Sequence, residues 1–183
     1  MLRGHLREIF YNEKGKVTVI MEGKDGAYET TGPEDIMGKM VEELSSYTPQ
    51  DLADLDALMH ELSATSFCNE EILKNALNDA NVYVYVIRDE GHIVATGTLC
   101  IKHTLVFTIA DIESVVVSSK CRGRGYGKEL MTAMIEAAKK MNVHHIQLTS
   151  NPARVAANRL YQVLGFERYE TNCYKIALGF NRE

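Results

Sequence analysis

The sequence predicts an α/β (α+β) fold, with a mixed, mostly antiparallel sheet flanked by helices and an extra β-meander at the amino terminus. Three observations carry this prediction. Short strand-like runs occupy the first 35 residues, three longer strand patterns follow from residue 81, and a strand, a helix and a strand then alternate up to residue 150. We therefore divide the 183 residues into an N-terminal β extension, residues 1–35, and a domain of residues 36–183.

The composition excludes several classes of protein. A net charge of -5 argues against a surface adapted to nucleic acid or to an anionic membrane. The chain has no run of eighteen apolar residues and no signal-peptide core, so we expect a cytoplasmic protein without membrane contact. Its four cysteines, at positions 68, 100, 121 and 173, form no C-x-x-C pair, and we expect reduced thiols that mostly fill the core, with no metal bound.

The first 35 residues predict three short antiparallel strands. The runs HLREIFY, KVTVIME and GAYETT are rich in β-branched and aromatic residues. The segments NEKG and GKDG separate them and are typical of tight turns. This pattern indicates a small β-meander.

Two helices are expected next, after an ambiguous stretch at residues 36–47. Thr48 and Asp51 have the spacing of a capping box, and Pro49 lies at the favoured first helical position. Apolar residues then recur at helical spacing as far as Leu62. A second, shorter helix is predicted over residues 69–77.

The central segment predicts the sheet. NVYVYVIRD and HIVATGTLCI flank Glu90 and Gly91 as a hairpin, and LVFTIADIESVVVSS supplies a third antiparallel strand. A helix over residues 127–141 and the strand-like VHHIQLTS complete a βαβ unit, whose two strands run parallel. On that last strand, the adjacent His144 and His145 would point to opposite faces, which argues against a metal site.

The end of the chain predicts one more helix and one more strand. Asn151 and Pro152 are favourable as the cap and first residue of a helix, and Gly165 closes it. The segment RYETNCYKIAL then ends the sheet.

The stretch CRGRGYGKEL, at residues 121–130, joins the third strand to a helix and predicts an anion site. Unpaired N–H groups converge at a helix start, where the helix dipole is positive. Glycines at 123, 125 and 127 remove the Cβ atoms that would keep a phosphate away from these N–H groups, and three nearby cations add attraction. A diphosphate would suit such a loop.

Two common nucleotide motifs do not match this loop. A Walker loop requires Ser or Thr where Glu129 stands and glycine where Arg122 stands, and the dinucleotide fingerprint requires its third glycine one residue later. The remaining pattern, Arg122-x-x-Gly125-x-Gly127, resembles the signature of the GNAT superfamily of acyl-CoA-dependent N-acetyltransferases. The segment ANRLYQVLGF, at residues 157–166, is similar to its second motif, and the resemblance covers about residues 48–178.

The resemblance implies a sheet that is splayed in its middle, with coenzyme A in the gap between the two parallel strands. The loop N–H groups would hold its diphosphate, and the strand before the loop would pair with the pantetheine arm like an added strand. Asn158 is a candidate pantetheine partner, although an exposed helical asparagine without this role fits equally well. The implied cofactor-binding residues are Val115, Val116, Val117, Arg122, Gly123, Arg124, Gly125, Tyr126, Gly127, Lys128 and Asn158.

The resemblance also implies the catalytic groups. Tyr161 matches the general-acid tyrosine of the superfamily, with a packed aromatic as the alternative. Glu113 is the candidate base acting through water, because IESVVV resembles the IED stretch of the amino-sugar-phosphate acetyltransferases, although Ser114 replaces their aspartate. A solvent-facing carboxylate is its alternative role, and Asp111 and His103 are reserve bases. The oxyanion donor would be a strand N–H near residue 116 or 117.

The expected function is acetyl transfer from acetyl-CoA, as cosubstrate, to a primary amine of a small molecule. A protein or peptide acceptor and a non-catalytic acyl-CoA-binding regulatory module remain alternatives. The helices of residues 48–77 and the end of the chain would shape the acceptor site. The superfamily often dimerises, which leaves a homodimer open without support from these residues.

Overall fold

The structure is a computed structural model that describes the backbone of residues 5–11, 17–23 and 26–30, and residues 41–176 and 178 with their side chains. It contains two compact units, residues 1–149 and residues 150–183. The predicted boundary between residues 35 and 36 lies outside the described residues, so the division into an extension and a domain stays a prediction.

Three strands precede the main sheet. They are β1 (His5–Tyr11), β2 (Val17–Gly23) and β3 (Gly26–Thr30), and they form a three-stranded antiparallel sheet in the order β1-β2-β3. The predicted turn NEKG between the first two strands lies outside the described residues.

The main sheet has five strands in the order β4-β5-β6-β7-β8. The first three pairs of neighbours are antiparallel, and β7 and β8 are parallel, which confirms the mixed sheet. A strand within the ambiguous stretch, β4, occupies the edge. The bounds are β4 (Val41–Glu43), β5 (Val82–Asp89), β6 (His92–His103), β7 (Thr108–Val117) and β8 (Ile146–Gln147).

Four helices lie within the described residues: α1 (Pro49–Leu62), α2 (Glu70–Asn78), α3 (Tyr126–Lys140) and α4 (Val155–Val163). The capping box at the start of α1 is confirmed. The Thr48 hydroxyl accepts from the Asp51 main-chain N–H at 3.2 Å, and the Asp51 carboxylate accepts from the Thr48 N–H at 2.9 Å. None of these helices is long and apolar enough to span a bilayer.

Two helical layers bury the main sheet. Leucines of α1 and α2, including Leu55, Leu58 and Leu73, form one cluster with Val84 and Val86 of β5. Helix α3 approaches β6 closely, because a Cβ atom on Gly97 would lie 2.9 Å from Cε of Met134. Each fully buried aliphatic side chain contributes roughly 1.5–3 kcal/mol.

The predicted strand VHHIQLTS is mostly wrong, because only Ile146 and Gln147 form a strand. His144 and His145 precede it and do not point to opposite faces of a sheet. Their rings both lie beside Phe107, with centroid distances of 4.8 and 6.3 Å. The two-residue alternation of side chains holds only where a strand forms.

The predicted start of the last helix is also wrong. Asn151 accepts hydrogen bonds from the N–H groups of Ala153 and Arg154, both at 2.9 Å, so residues 151–154 form a turn before α4 begins at Val155. Asparagine favours such turns as strongly as it favours helix caps. The predicted end is confirmed, because Gly165 follows the helix with a left-handed φ of 92°.

The predicted terminal strand RYETNCYKIAL is absent from the described residues 168–176. A single main-chain hydrogen bond within this segment joins the Thr171 N–H to the Tyr169 carbonyl. Tyr169, Tyr174 and Ile176 are exposed. Strand propensity reflects packing against a paired neighbour, and a sequence pattern alone does not supply that neighbour.

Candidate active site

The loop between β7 and α3 presents a row of free main-chain donors. The N–H groups of residues 122–127 donate no hydrogen bond to any described residue, and the first turn of α3 is closed only by Lys128 and Glu129, whose N–H groups donate to Gly125 at 3.0 and 3.1 Å. Six consecutive donors at the positive end of a helix form a ready anion site.

The shape of this loop depends on two glycines. Gly123 has a φ of 81° and Gly125, the N-cap of α3, has a φ of 92°. Both lie in the left-handed region, which side chains with a Cβ atom avoid. A Cβ atom on Gly125 would lie 3.6 Å from Glu129 Oε1, an ordinary contact, so backbone conformation rather than space demands the glycine.

Two of the three expected cations are already paired. An Nη atom of Arg122 lies 3.4 Å from Oε2 of Glu61, and Arg124 donates to Asp89 at 2.9 Å. Lys128 is exposed and forms no ion pair with the residues that the structure describes. The attraction expected from the cations is therefore partly offset at the two arginines by the carboxylates that pair with them.

The edge of β7 that faces β8 is open over most of its length. The two strands pair only at Ala110 with Ile146 and at Asp111 with Gln147. From residue 112 to residue 117, this edge of β7 has no strand beside it among the described residues. An open strand edge can accept an extended chain through main-chain hydrogen bonds, as the predicted splay requires.

A β-bulge lies within this open segment. Thr96 pairs with Val116 and Thr98 pairs with Glu113, so Gly97 stands opposite two residues of β7, Ser114 and Val115. Ser114 has a φ of 54°, a left-handed conformation that costs roughly 1–3 kcal/mol and is concentrated at functional sites. The bulge includes Val115, the first of the three valines predicted to meet the pantetheine arm, and it changes the direction of the strand there.

The three candidate bases have different surroundings. Glu113 is exposed on β7, next to the bulge. Asp111 is buried and forms an ion pair with Lys102, and its Oδ1 has no partner among the described residues. His103 ends β6, with Nδ1 3.1 Å from the hydroxyl of Thr108. Glu113 is therefore the accessible carboxylate of the three.

The second unit contains Tyr161 and Asn158, both on α4. Tyr161 is half-buried, and its ring meets Phe166 edge to face at a centroid distance of 6.1 Å. Burial raises the pKa of Tyr161 above its usual value of 10, although the positive charge of Arg154 opposes this effect. The Asn158 side-chain amide donates to the Asn151 carbonyl at 2.9 Å, so it helps to hold the turn before α4.

Sequence reasoning missed Glu61 and Asp89, which hold the arginines of the loop. They lie 61 and 35 residues from those arginines along the chain, and no local motif marks such a pair. Glu129, which excludes the Walker motif, is a further residue of interest near the loop. Its Oε2 is buried without a hydrogen-bond partner in the described part of the chain, beside the loop.

The comparison with known families agrees with this arrangement. Residues 42–166 match the model of the acetyltransferase (GNAT) family, over more than half of the chain. The chain belongs to the GNAT acetyltransferase family. It is therefore a GNAT-family enzyme, and the non-catalytic module considered above is not supported. Acetyl-CoA is the acetyl donor that this family uses.

Solved structures show the same fold. A protein of Agrobacterium tumefaciens, assigned to the acetyltransferases, is 27% identical with a TM-score of 0.65, over 75% of this GNAT chain and 99% of that chain. Glucosamine-6-phosphate N-acetyltransferase of Arabidopsis thaliana is 21% identical, with a TM-score of 0.62 and coverage of 75% and 97%. An aminoglycoside N-acetyltransferase in complex with CoA is 16% identical, with a TM-score of 0.64 and coverage of 76% and 95%. At these identities, the last two show the fold alone.

Proposed function

We propose that this GNAT enzyme transfers an acetyl group from acetyl-CoA to a primary amine of a small molecule. The observation that carries the proposal is the row of unpaired N–H groups at residues 122–127, held open by two left-handed glycines at a helix start. Two solved structures of the same fold are named as acetyltransferases of small amines, glucosamine 6-phosphate and aminoglycosides, and they favour this class of acceptor.

The residues present fit coenzyme A. The main-chain N–H groups from Arg122 to Gly127 would hold the diphosphate, together with the side chain of Lys128, which pairs with no carboxylate among the described residues. The open edge of β7 at Val115–Val117 would pair with the pantetheine arm. The Asn158 side-chain oxygen would accept a hydrogen bond from the same arm, because the contacts of this side chain with the Asn151 and Pro152 carbonyls use its nitrogen.

Acyl transfer to an amine requires a neutral nucleophile, and Glu113 is the proposed base. Acetyl-CoA supplies the acetyl group in thioester form when it is bound. The Glu113 carboxylate takes a proton from the acceptor ammonium through a bridging water, which frees the nitrogen lone pair for attack. A main-chain N–H at Val116 or Val117 donates to the carbonyl oxygen, where negative charge develops.

Tyr161 is the proposed general acid. Its hydroxyl holds a proton at neutral pH because its usual pKa is about 10, and burial raises that pKa further. The phenol donates this proton to the sulfur as the carbon–sulfur bond breaks, and the second proton of the acylated nitrogen returns through solvent to the phenolate, which restores the tyrosine. Because the proton must be present for turnover, kcat should fall as the pH rises through the raised pKa of Tyr161, above about 10.

The test is a screen of small amines and short peptides with acetyl-CoA, following release of free thiol. We expect turnover with small amines, and Tyr161→Phe and Glu113→Gln should each lower kcat by about 100-fold or more, with CoA affinity unchanged. Tyr169→Phe, at an exposed tyrosine outside the proposed site, is the matched control and should keep full activity.

Three results would contradict parts of this proposal. Turnover with peptides but not with small amines would show that the acceptor is a protein or peptide amine and not a small molecule. Full kcat in Tyr161→Phe would remove the tyrosine from its role as acid. Absence of CoA binding to the folded wild-type protein would refute the whole assignment of the loop.

A further inference from the structure

One carboxylate of α1 reaches the start of the cofactor loop. Oε2 of Glu61 accepts from the main-chain N–H of Ser119 at 2.7 Å and from Nη2 of Arg122 at 3.4 Å. Oε1 of the same side chain lies 3.3 Å from the hydroxyl of Ser118 and 3.4 Å from that of Ser119. A single side chain therefore binds three of the five residues at positions 118–122.

A second carboxylate holds the other arginine. Asp89, the last residue of β5, accepts from Nη1 of Arg124 at 2.9 Å through Oδ2. The pKa of Arg124 lies above its usual value, chiefly because its side chain also bonds to the buried Tyr126. The loop is thus fixed from α1 on one side and from β5 on the other.

These contacts address a physical difficulty of the loop. Glycines have more conformational freedom than other residues, and six unpaired N–H groups gain nothing from staying aligned in the absence of an anion. Such a loop should populate other conformations when no anion is bound. The affinity for an anion would then fall in proportion to the fraction of molecules in which the N–H groups are aligned. Contacts to the flanking side chains can hold the loop in the aligned conformation without using the N–H groups of residues 122–127. They therefore reduce this loss of affinity.

We propose that Glu61 and Asp89 are positioning residues for the cofactor loop. They hold Arg122 and Arg124 so that the N–H groups between these arginines remain free for the diphosphate. The arginine side chains therefore shape the loop, and the main chain binds the anion. This inference rests on the proposed function for its ligand, but the ordering of the free loop can be tested without any ligand.

An isolated exposed ion pair stabilises a protein little, which would make both contacts incidental. Glu61 differs from such a pair because it also accepts from a main-chain N–H and lies near two hydroxyl groups. Its side chain is only 31% exposed, and that of Asp89 is 25% exposed. Hydrogen bonds to a charged carboxylate are stronger than hydrogen bonds between neutral groups, and partial shielding from water strengthens them further.

The experiment compares Glu61→Gln and Asp89→Asn with a matched control, Glu71→Gln. Glu71 is an exposed glutamate of α2 whose side chain forms no hydrogen bond or ion pair with the described residues. Hydrogen exchange is measured on the ligand-free protein at the N–H groups of Ser118, Ser119 and Cys121, which donate hydrogen bonds at the start of the loop and so report its opening. CoA affinity is measured by calorimetry. We expect loop exchange to accelerate about tenfold and Kd for CoA to rise about tenfold in Glu61→Gln, with smaller shifts of the same sign in Asp89→Asn.

The control should match the wild-type protein in both measurements. In Glu61→Gln, kcat at saturating acetyl-CoA should change less than about twofold, because bound ligand returns the loop to the conformation with aligned N–H groups. Unchanged exchange and affinity in both variants would overturn the proposal. Tighter CoA binding in Glu61→Gln would also overturn it, because Glu61 would then compete with the phosphates for Arg122. If CoA binds to no version of the protein, the proposed function fails, and the exchange measurement still decides whether these carboxylates order the loop.

Discussion

Replacement of Gly125 by alanine tests the shape of the cofactor loop directly. Gly125 has a φ of 92° and a ψ of -8°, where an L-residue with a Cβ atom costs about 1–2 kcal/mol. The alanine also lowers the conformational entropy of the unfolded chain, which offsets about 0.4–1 kcal/mol of this destabilisation. The net destabilisation should be about 1 kcal/mol, which lowers Tm by about 2–4 °C for a chain of this size.

The effect on CoA affinity should be much larger than the effect on stability. Alanine relieves the strain by leaving the left-handed conformation, and the N–H groups on either side of Gly125 then turn away from a common point. Loss of two hydrogen bonds to a charged phosphate, at about 1.5 kcal/mol each, corresponds to roughly a 100-fold increase in Kd. Calorimetric titration with CoA measures this change, and thermal melting measures the stability.

Gly91→Ala is the matched control for this experiment. Gly91 lies in the turn between β5 and β6 with a φ of 83°, and a Cβ atom there would meet nothing within 4 Å. The same strain should lower Tm by a similar amount and leave Kd for CoA within about twofold of the wild-type value. If Gly125→Ala bound CoA as tightly as Gly91→Ala does, the loop N–H groups would not be the diphosphate site.

Two further predictions concern stability. Asp51→Asn should destabilise the protein by about 1–3 kcal/mol in urea denaturation, because Asp51 is 3% exposed, completes the capping box of α1 and forms an ion pair with Arg88, which keeps Glu42 as a partner in the variant. The hydrogen bond from Arg88 holds the pKa of Asp51 below its usual value of 3.8, so this stability is present above that pH and is lost as the pH falls below it. The wild-type protein should therefore lose more stability than the variant as the pH falls below 3.8. Equal losses in the two proteins would exclude the pair of Asp51 and Arg88 as the source of this stability. Leu99→Ala should cost about 2–5 kcal/mol, because Leu99 is fully buried, and a loss under about 1 kcal/mol in the same urea assay would show that the core between β6 and α3 is loosely packed.

Elements marked by local sequence signals were predicted accurately. The capping box at Thr48 and Asp51 forms, and the glycine at position 165 ends its helix in the left-handed conformation. The helix predicted over residues 127–141 is found at Tyr126–Lys140. Each of these features is fixed by interactions among residues within a few positions of each other, so a short window of sequence contains all the information that they need.

Predictions that depended on a partner from elsewhere in the chain were less accurate. The two strand-like runs near the end of the chain gave a strand of two residues and no described strand, because strand formation requires a paired neighbour. The loop cations were expected to add attraction for an anion, and the structure pairs Arg122 with Glu61 and Arg124 with Asp89. The bulge at Ser114 left no sequence signal, because it arises from the register of β7 against β6.

The composition of the anion loop can be read from the amino-acid sequence alone: glycines occupy three alternate positions around the start of an amphipathic helix, and they permit backbone conformations and a close approach that other residues prevent. Which groups of that loop are available depends on tertiary contacts. The two arginines pair with distant carboxylates, which reduces the positive charge that they offer to an anion. Strand β8 ends at Gln147, so among the described residues no strand pairs with this edge of β7 beyond residue 111. Both outcomes depend on which surfaces meet when the sheet assembles, and no local pattern of residues specifies that contact.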